Sequence, residues 1–329
     1  MSAATVIAPV RSSAGEVDYS EITDAHQIAW DYTISLTSLK RFFLPQVEPL
    51  FEFSCQQGKH TLQPILDKKP RVFIGVRPCD VSGLNFLDTV AKRDHDDQYY
   101  QSRRQNSFII ALACNKAAAE TCFCVCGDGG PFLKEGYDIQ LVSLGDYYLV
   151  EVGSAKGEAL VKEHADLFTP ADAKDAKQKE KLMKQAEISF GEDKAYVAAA
   201  TRKISFGKTE DALWEKLGDF CLGCGGCAYI CPTCTCFTVC DHMKGEGGVR
   251  ERHWDACNYA CYTREVSGHN PRKEQGQRLK NRFFHKLSYQ FVLRNGRHAC
   301  VGCGRCAFVC PGETPMPEVT ASIRRGAWE

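Results

Sequence analysis

The strongest constraint on this chain is a cysteine motif that occurs twice. Cys221, Cys224, Cys227 and Cys231, followed by Pro232, have the spacing C-x2-C-x2-C-x3-C-P, and Cys300, Cys303, Cys306 and Cys310, followed by Pro311, repeat it. The intervening residues are similar too: CLGCGGCAYICP at 221–232 and CVGCGRCAFVCP at 300–311. Four thiols this close suit a cubane iron–sulfur cluster. Zinc ribbons, the competing reading, use two separated C-x2-C knuckles. The first three cysteines of each motif wrap one tight turn around three corners of a cubane, and Gly223, Gly225, Gly302 and Gly304 let the backbone approach the sulfides. The fourth cysteine begins a different segment, so it passes to the other cluster. The spacing predicts one 4Fe-4S cluster on Cys221, Cys224, Cys227 and Cys310, and a second on Cys300, Cys303, Cys306 and Cys231.

Nineteen cysteines in all, an odd number clustered at short gaps, fit metal ligation in a reducing compartment better than a disulfide framework. Lysine plus arginine and aspartate plus glutamate both total 41, so no global field draws the chain to nucleic acid or an anionic membrane. No apolar run is long enough for a membrane span, and the first residues lack the basic start and apolar core of a secretory leader. The expected location is the cytoplasm.

The expected fold class is an α/β N-terminal domain (1–154) plus an α+β ferredoxin-like dicluster domain (218–329), joined by a helical linker (155–217). In the first part Val72–Val76 and Phe108–Leu112 read as buried strands. Asp80 between them reads as the cap of a helix that begins at Val81. Residues 140–144 and 147–152 flank Gly145-Asp146 as a hairpin. The linker is rich in alanine, lysine and glutamate, with a helix start at Thr169–Asp172 and a polar run read as a solvated face. Between the two cysteine motifs lies an insertion, about 232–299, long enough to carry structure of its own.

Cys79 and Cys114 each fall just past the carboxyl end of an expected strand, where ligands gather in open α/β sheets. Cys122 and Cys124 follow closely, so a third 4Fe-4S cluster can be drawn on Cys79, Cys114, Cys122 and Cys124. A zinc site, a redox-active pair and metal-free thiols compete with it. Cys126 is a competing ligand, and Cys55 reads as a core residue. Cys234, Cys236, Cys240, Cys257 and Cys261 are surplus to the clusters. They read either as thiols packed around them or as a further metal or thiol site. His253, His269 and His285 read as hydrogen-bonding residues rather than ligands. The basic stretch from Arg272 to Lys286 reads as neutralising cluster charge or docking an acidic partner. No G-x-G-x-x-G after a strand, P-loop or nucleophile elbow is present, so no catalytic residue is assigned.

Several stretches are shared with one family: GVRPCD at 75–80, ETCFC at 120–124, CGGCAYICPTCTCF at 224–237, HWDAC at 253–257, GHNPR at 268–272, HK at 285–286 and CVGCGRC at 300–306. In order and spacing the chain resembles the family of iron–sulfur subunits of anaerobic sulfite reductase, which includes the beta subunits of sulfhydrogenase-type nickel–iron hydrogenases. The resemblance implies a role in anaerobic metabolism as an electron-transfer component of a hetero-oligomeric complex. There it would relay single electrons between a flavin subunit that handles NAD(P)H and a catalytic metalloenzyme subunit. It also implies that Cys79, Cys114, Cys122 and Cys124 act together. Cys126, Cys240, Cys261 and the segment Pro311–Pro315 depart from the family pattern. The alternative function is a thiol, disulfide or polysulfide reductase whose substrate-facing cluster is built from the surplus cysteines.

Overall fold

The computed structural model describes residues 4–191 and 197–327. Its strands are β1 (Thr5–Arg11), β2 (Val17–Ile22), β3 (Val47–Gln56), β4 (Lys59–Pro64), β5 (Arg71–Val76), β6 (Ser107–Leu112), β7 (Ile139–Ser143), β8 (Tyr148–Val152), β9 (Phe237–Lys244) and β10 (Gly247–Trp254). They form two sheets.

The first sheet has the order β2-β1-β5-β6-β7-β8, with β1, β5, β6 and β7 parallel and antiparallel strands at both edges. The apolar runs of β5 and β6 take its centre because Phe73, Ile109 and Ala111 are covered completely. Leu84 and Leu87 of the helix Pro78–Arg93 pack there with Tyr100. The hairpin expected around Gly145-Asp146 forms, as β7 and β8, and Gly145 takes a φ of +111° at its turn.

One local expectation is corrected. The helix after β5 starts at Pro78 with Arg77 as its cap residue, so Asp80 lies inside the first turn. Proline suits that position, where its missing N–H would have had no partner. Asp80 is thereby free to point into the interior.

The second sheet, β4-β3-β10-β9, is antiparallel throughout. Strand β10 pairs with β3 from Gly247 opposite Ser54 to His253 opposite Val47. The insertion between the cysteine motifs is therefore stitched to residues 47–64. Within 218–329 the described strands are β9 and β10, and each cysteine motif runs instead into a one-turn helix, Gly226–Tyr229 or Arg305–Phe308. Cys55, read as core, is exposed near the turn between β3 and β4.

The stretch 155–217 is helical: Ala155–Glu163, Ala173–Ser189, Val197–Ser205 and Asp211–Phe220. A capping box of Asp172 and Asp175 starts the second helix, which presents Lys179 to Glu151 of β8. The last two helices are not solvated. Val197, Ile204, Trp214 and Leu217 are buried against Leu279, Phe283, Met316 and Val319, because their apolar residues recur at helical spacing.

One buried ion pair joins the two cysteine-bearing halves. Arg305 donates to Asp80 at 2.6 Å, with side-chain exposures of 1% and 0%. Asp80 also accepts from the Tyr19 hydroxyl at 3.0 Å and the Leu39 N–H at 3.2 Å, while Arg305 donates to Ser35. Removing one partner of a buried pair strands the other charge. Asp80→Ala is expected to lower stability by about 3–5 kcal/mol, measured by anaerobic denaturant unfolding. A loss below about 1 kcal/mol would show that the pair does not hold the halves together.

Candidate iron–sulfur centres

Twelve cysteines line three small cavities of about 20 Å3 each. The first holds Cys79, Cys114, Cys122 and Cys124. Cys79 stands in the first turn of the helix after β5, Cys114 lies two residues beyond β6, and Cys122 and Cys124 come from the loop leading to β7. They gather at the carboxyl ends of two adjacent parallel strands, under Ile34, Pro131 and Phe190. Burial pushes the Cys79 and Cys124 thiols well above the ordinary cysteine range, so metal uptake here would release protons.

The second cavity holds Cys231, Cys300, Cys303 and Cys306, and the third Cys221, Cys224, Cys227 and Cys310. The fourth cysteine of each motif thus sits with the first three of the other. Cys303 and Gly302 wall both the first and the second cavity. This close approach depends on glycine. A Cβ on Gly302 would meet the Phe123 carbonyl at 2.5 Å and one on Gly304 the Thr121 carbonyl at 2.4 Å, and both have φ above +60°.

The thiols are spaced too widely for a single zinc ion. Four thiolates around zinc at about 2.3 Å are about 3.8 Å apart. Among the described residues, no three cysteine sulfurs lie within 4.8 Å of one another. Four wide corners and a small cavity between them fit a multinuclear cluster.

Hydrogen-bond donors converge on the sulfurs. Gln275 donates to Cys221 at 3.2 Å, Arg282 to Cys227 at 3.1 Å, Lys286 to Cys231 at 3.3 Å, and the Thr314 N–H to Cys310 at 3.3 Å. Arg282 and Lys286 are buried, yet no carboxylate lies within ion-pair distance of either among the described residues. Burial alone would pull the Lys286 ammonium down, but the Cys231 and Cys234 thiols more than offset it and hold it up. Such cations belong beside an anionic group. The basic stretch thus turns part of its charge inward. Arg305 keeps one unpaired nitrogen, Nη1, in its buried setting. Sequence reasoning missed Lys40, whose Nζ reaches the Cys234 carbonyl at 3.2 Å and sits 3.8 Å over the Trp254 ring. Nothing local marks that lysine.

The remaining cysteines lie outside these quartets. Cys126 packs against the Trp214 core, Cys261 is exposed, and Cys240 is on β9. Cys234 lies beside Cys231, and Cys236 beside Cys257 and Tyr262. Cys234 and Cys236 line a surface cavity with Trp254 and Arg252. His285 stacks edge-on against Phe291, with ring centroids 4.5 Å apart.

Residues 220–314 match the 4Fe-4S dicluster domain family. Both repeated motifs lie within that span, and the chain carries two 4Fe-4S clusters. A nearby cation stabilises the reduced, more negative form of a cluster and raises its potential. Lys286→Met is therefore expected to lower the midpoint potential of one cluster by about 40 mV, the one-electron equivalent of about 1 kcal/mol of charge-assisted hydrogen bonding. An anaerobic redox titration followed by EPR measures it, and unchanged potentials would remove Lys286 from the tuning set.

No solved structure matches the chain. Sulfhydrogenase 2 subunit beta of Pyrococcus furiosus is 31% identical over 326 residues, covering 98% of this chain and 92% of that protein. The likeness therefore spans the N-terminal cysteines, the insertion and both repeated motifs, and the chain belongs to the sulfhydrogenase beta-subunit family of 4Fe-4S dicluster proteins.

Proposed function

We propose that the chain is the electron-relay subunit of a hydrogenase-type oxidoreductase. It would carry single electrons between a flavin subunit that handles NAD(P)H and a catalytic metalloenzyme subunit of nickel–iron or sulfite reductase type. The observation that carries this reading is the set of three four-cysteine cavities. Cys221, Cys224, Cys227 and Cys310 would hold one cluster, Cys231, Cys300, Cys303 and Cys306 the next, and Cys79, Cys114, Cys122 and Cys124 a third. When bound, such clusters supply one-electron transfer.

The chain's own residues shape that chemistry. Phe123, Phe190 and Val301 keep the inner cavities dry, which strengthens every charge interaction with the thiolates. Arg282, Lys286 and the amide donors set how readily negative charge is accepted. Cys224 is exposed, and beside it Leu222 and Phe220 are open to solvent, so this end offers a docking face for an electron partner. The name of the Pyrococcus relative favours a hydrogenase complex over a sulfite reductase. Among the described residues no helix is long and apolar enough to cross a membrane.

A second reading has a specific observation behind it. Cys236 lies beside Cys257, and it opens with Cys234 on a surface cavity beside the Cys231 quartet. A thiol, disulfide or polysulfide reductase would use that pair, and turnover by the isolated chain would favour it.

The relay is tested by anaerobic purification of the chain with its native partners and analysis of iron and labile sulfide. About twelve irons per chain are expected beyond the partners' share, falling to about eight in Cys79→Ser, with co-purifying flavin and metalloenzyme subunits. About eight irons in the unsubstituted protein would remove the N-terminal cluster. Zinc without labile sulfide would sink the relay itself.

A further inference from the structure

The insertion hairpin carries a second kind of ligand set. In strands, alternate residues share a face. Pairing of β9 with β10 places Thr238 opposite His253, Cys240 opposite Glu251 and His242 opposite Val249, so Cys240, His242, Glu251 and His253 all project from one side. The other side is anchored. There Arg252 donates to Glu48 at 2.8 Å and to Asp97 at 2.6 Å, and the Trp254 indole donates to the Leu44 carbonyl at 2.9 Å. Pairing of β10 with β3 fixes the strand further.

On the outward side the Nε2 atoms of His242 and His253 lie 3.1 and 3.0 Å from the same Glu251 carboxylate oxygen. The three atoms are all within 4.8 Å of one another, the only such set among the described residues. Zinc–nitrogen and zinc–oxygen bonds of about 2.1 Å make the edge of a tetrahedral site about 3.4 Å. The two histidine–glutamate edges need to open by only a few tenths of an ångström to receive an ion, unlike the cysteine quartets, which are too wide for one.

We propose that His242, Glu251 and His253 form a mononuclear site for a borderline divalent metal ion, with zinc as the occupant. Two imidazoles and one carboxylate select such an ion over calcium or magnesium, which prefer oxygen ligands. Exposures of 60% for His242, 30% for His253 and 24% for Glu251 leave the ion in contact with solvent and with coordination positions open to water or a small anion. Cys240 adds a thiol to the same face, opposite Glu251. The ion would clip β9 to β10 across the strands. His253, read from sequence as a hydrogen-bonding residue, becomes a ligand through its strand register.

The experiment uses the full chain in its complex, purified anaerobically with its clusters in place and freed of loose metal on an immobilised chelator. Zn2+ is titrated, bound zinc is counted after desalting, and the zinc K-edge spectrum reports the ligand atoms. One tight equivalent with a nitrogen- and oxygen-rich shell is expected. Glu251→Gln and the double variant His242→Ala/His253→Ala should each weaken it on the order of a hundredfold, with iron content and cluster absorption unchanged. Thr238→Ala, on the same face, should leave zinc binding intact. Absence of tight zinc, a sulfur-dominated shell from the surplus cysteines, or binding that survives the double histidine variant would overturn the proposal.

Discussion

The contact between Asp80 and Arg305 governs how this molecule is assembled. Asp80 follows Cys79 directly, and Arg305 lies between Gly304 and Cys306, so the pair draws one cysteine quartet onto the next. Taking two charges out of water is costly and is tolerated only where hydrogen bonds occupy the remaining donors and acceptors. Here Tyr19, Leu39 and Ser35 supply most of them, while Arg305 Nη1 lacks a partner among the described residues. The residues that supply the bonds come from the N-terminal third of the chain, which is thereby committed to packing against the C-terminal motif.

Around that joint the backbones themselves touch. The Phe123 N–H donates to the Gly302 carbonyl at 2.8 Å, and Gly129 approaches Val301 so closely that a Cβ would lie 1.9 Å from its carbonyl oxygen. Contacts of this kind hold the first and second cavities against a common wall. They also exclude water, so each buried cation near the thiols acts with more force than it would at a surface. Buried lysine and arginine without carboxylates would be unstable in an apolar core. Their presence next to the cysteine sulfurs is the physical signature of a negative charge held at those positions.

The second sheet has a different role. Insertions of this length between ferredoxin-type motifs need a partner to bury against, and the hairpin β9–β10 finds one in β3. Pairing covers one edge of the hairpin, while Arg252, Glu48, Arg103 and Asp97 form a charge network beneath it. The outer face stays open, where its histidines and carboxylate converge.

Local features were legible from the residues alone. Ligand spacing such as C-x2-C-x2-C-x3-C-P is set by one turn of backbone, the strands β5 and β6 by continuous apolar runs, and the β7–β8 turn by Gly145. The helical character of 155–217 was legible too, but the burial of its last two helices was not, because the charged run before them gave the whole stretch a solvated reading. Long-range partners were not. Nothing in sequence says that Asp80 meets Arg305, that Lys40 reaches Cys234, that β10 pairs with β3, or that His242 and His253 share a carboxylate. Residues far apart in the chain come together only when loop closure is offset by packing across the whole molecule. Short-range periodicity specifies elements, while tertiary structure decides which elements meet and what their side chains build between them.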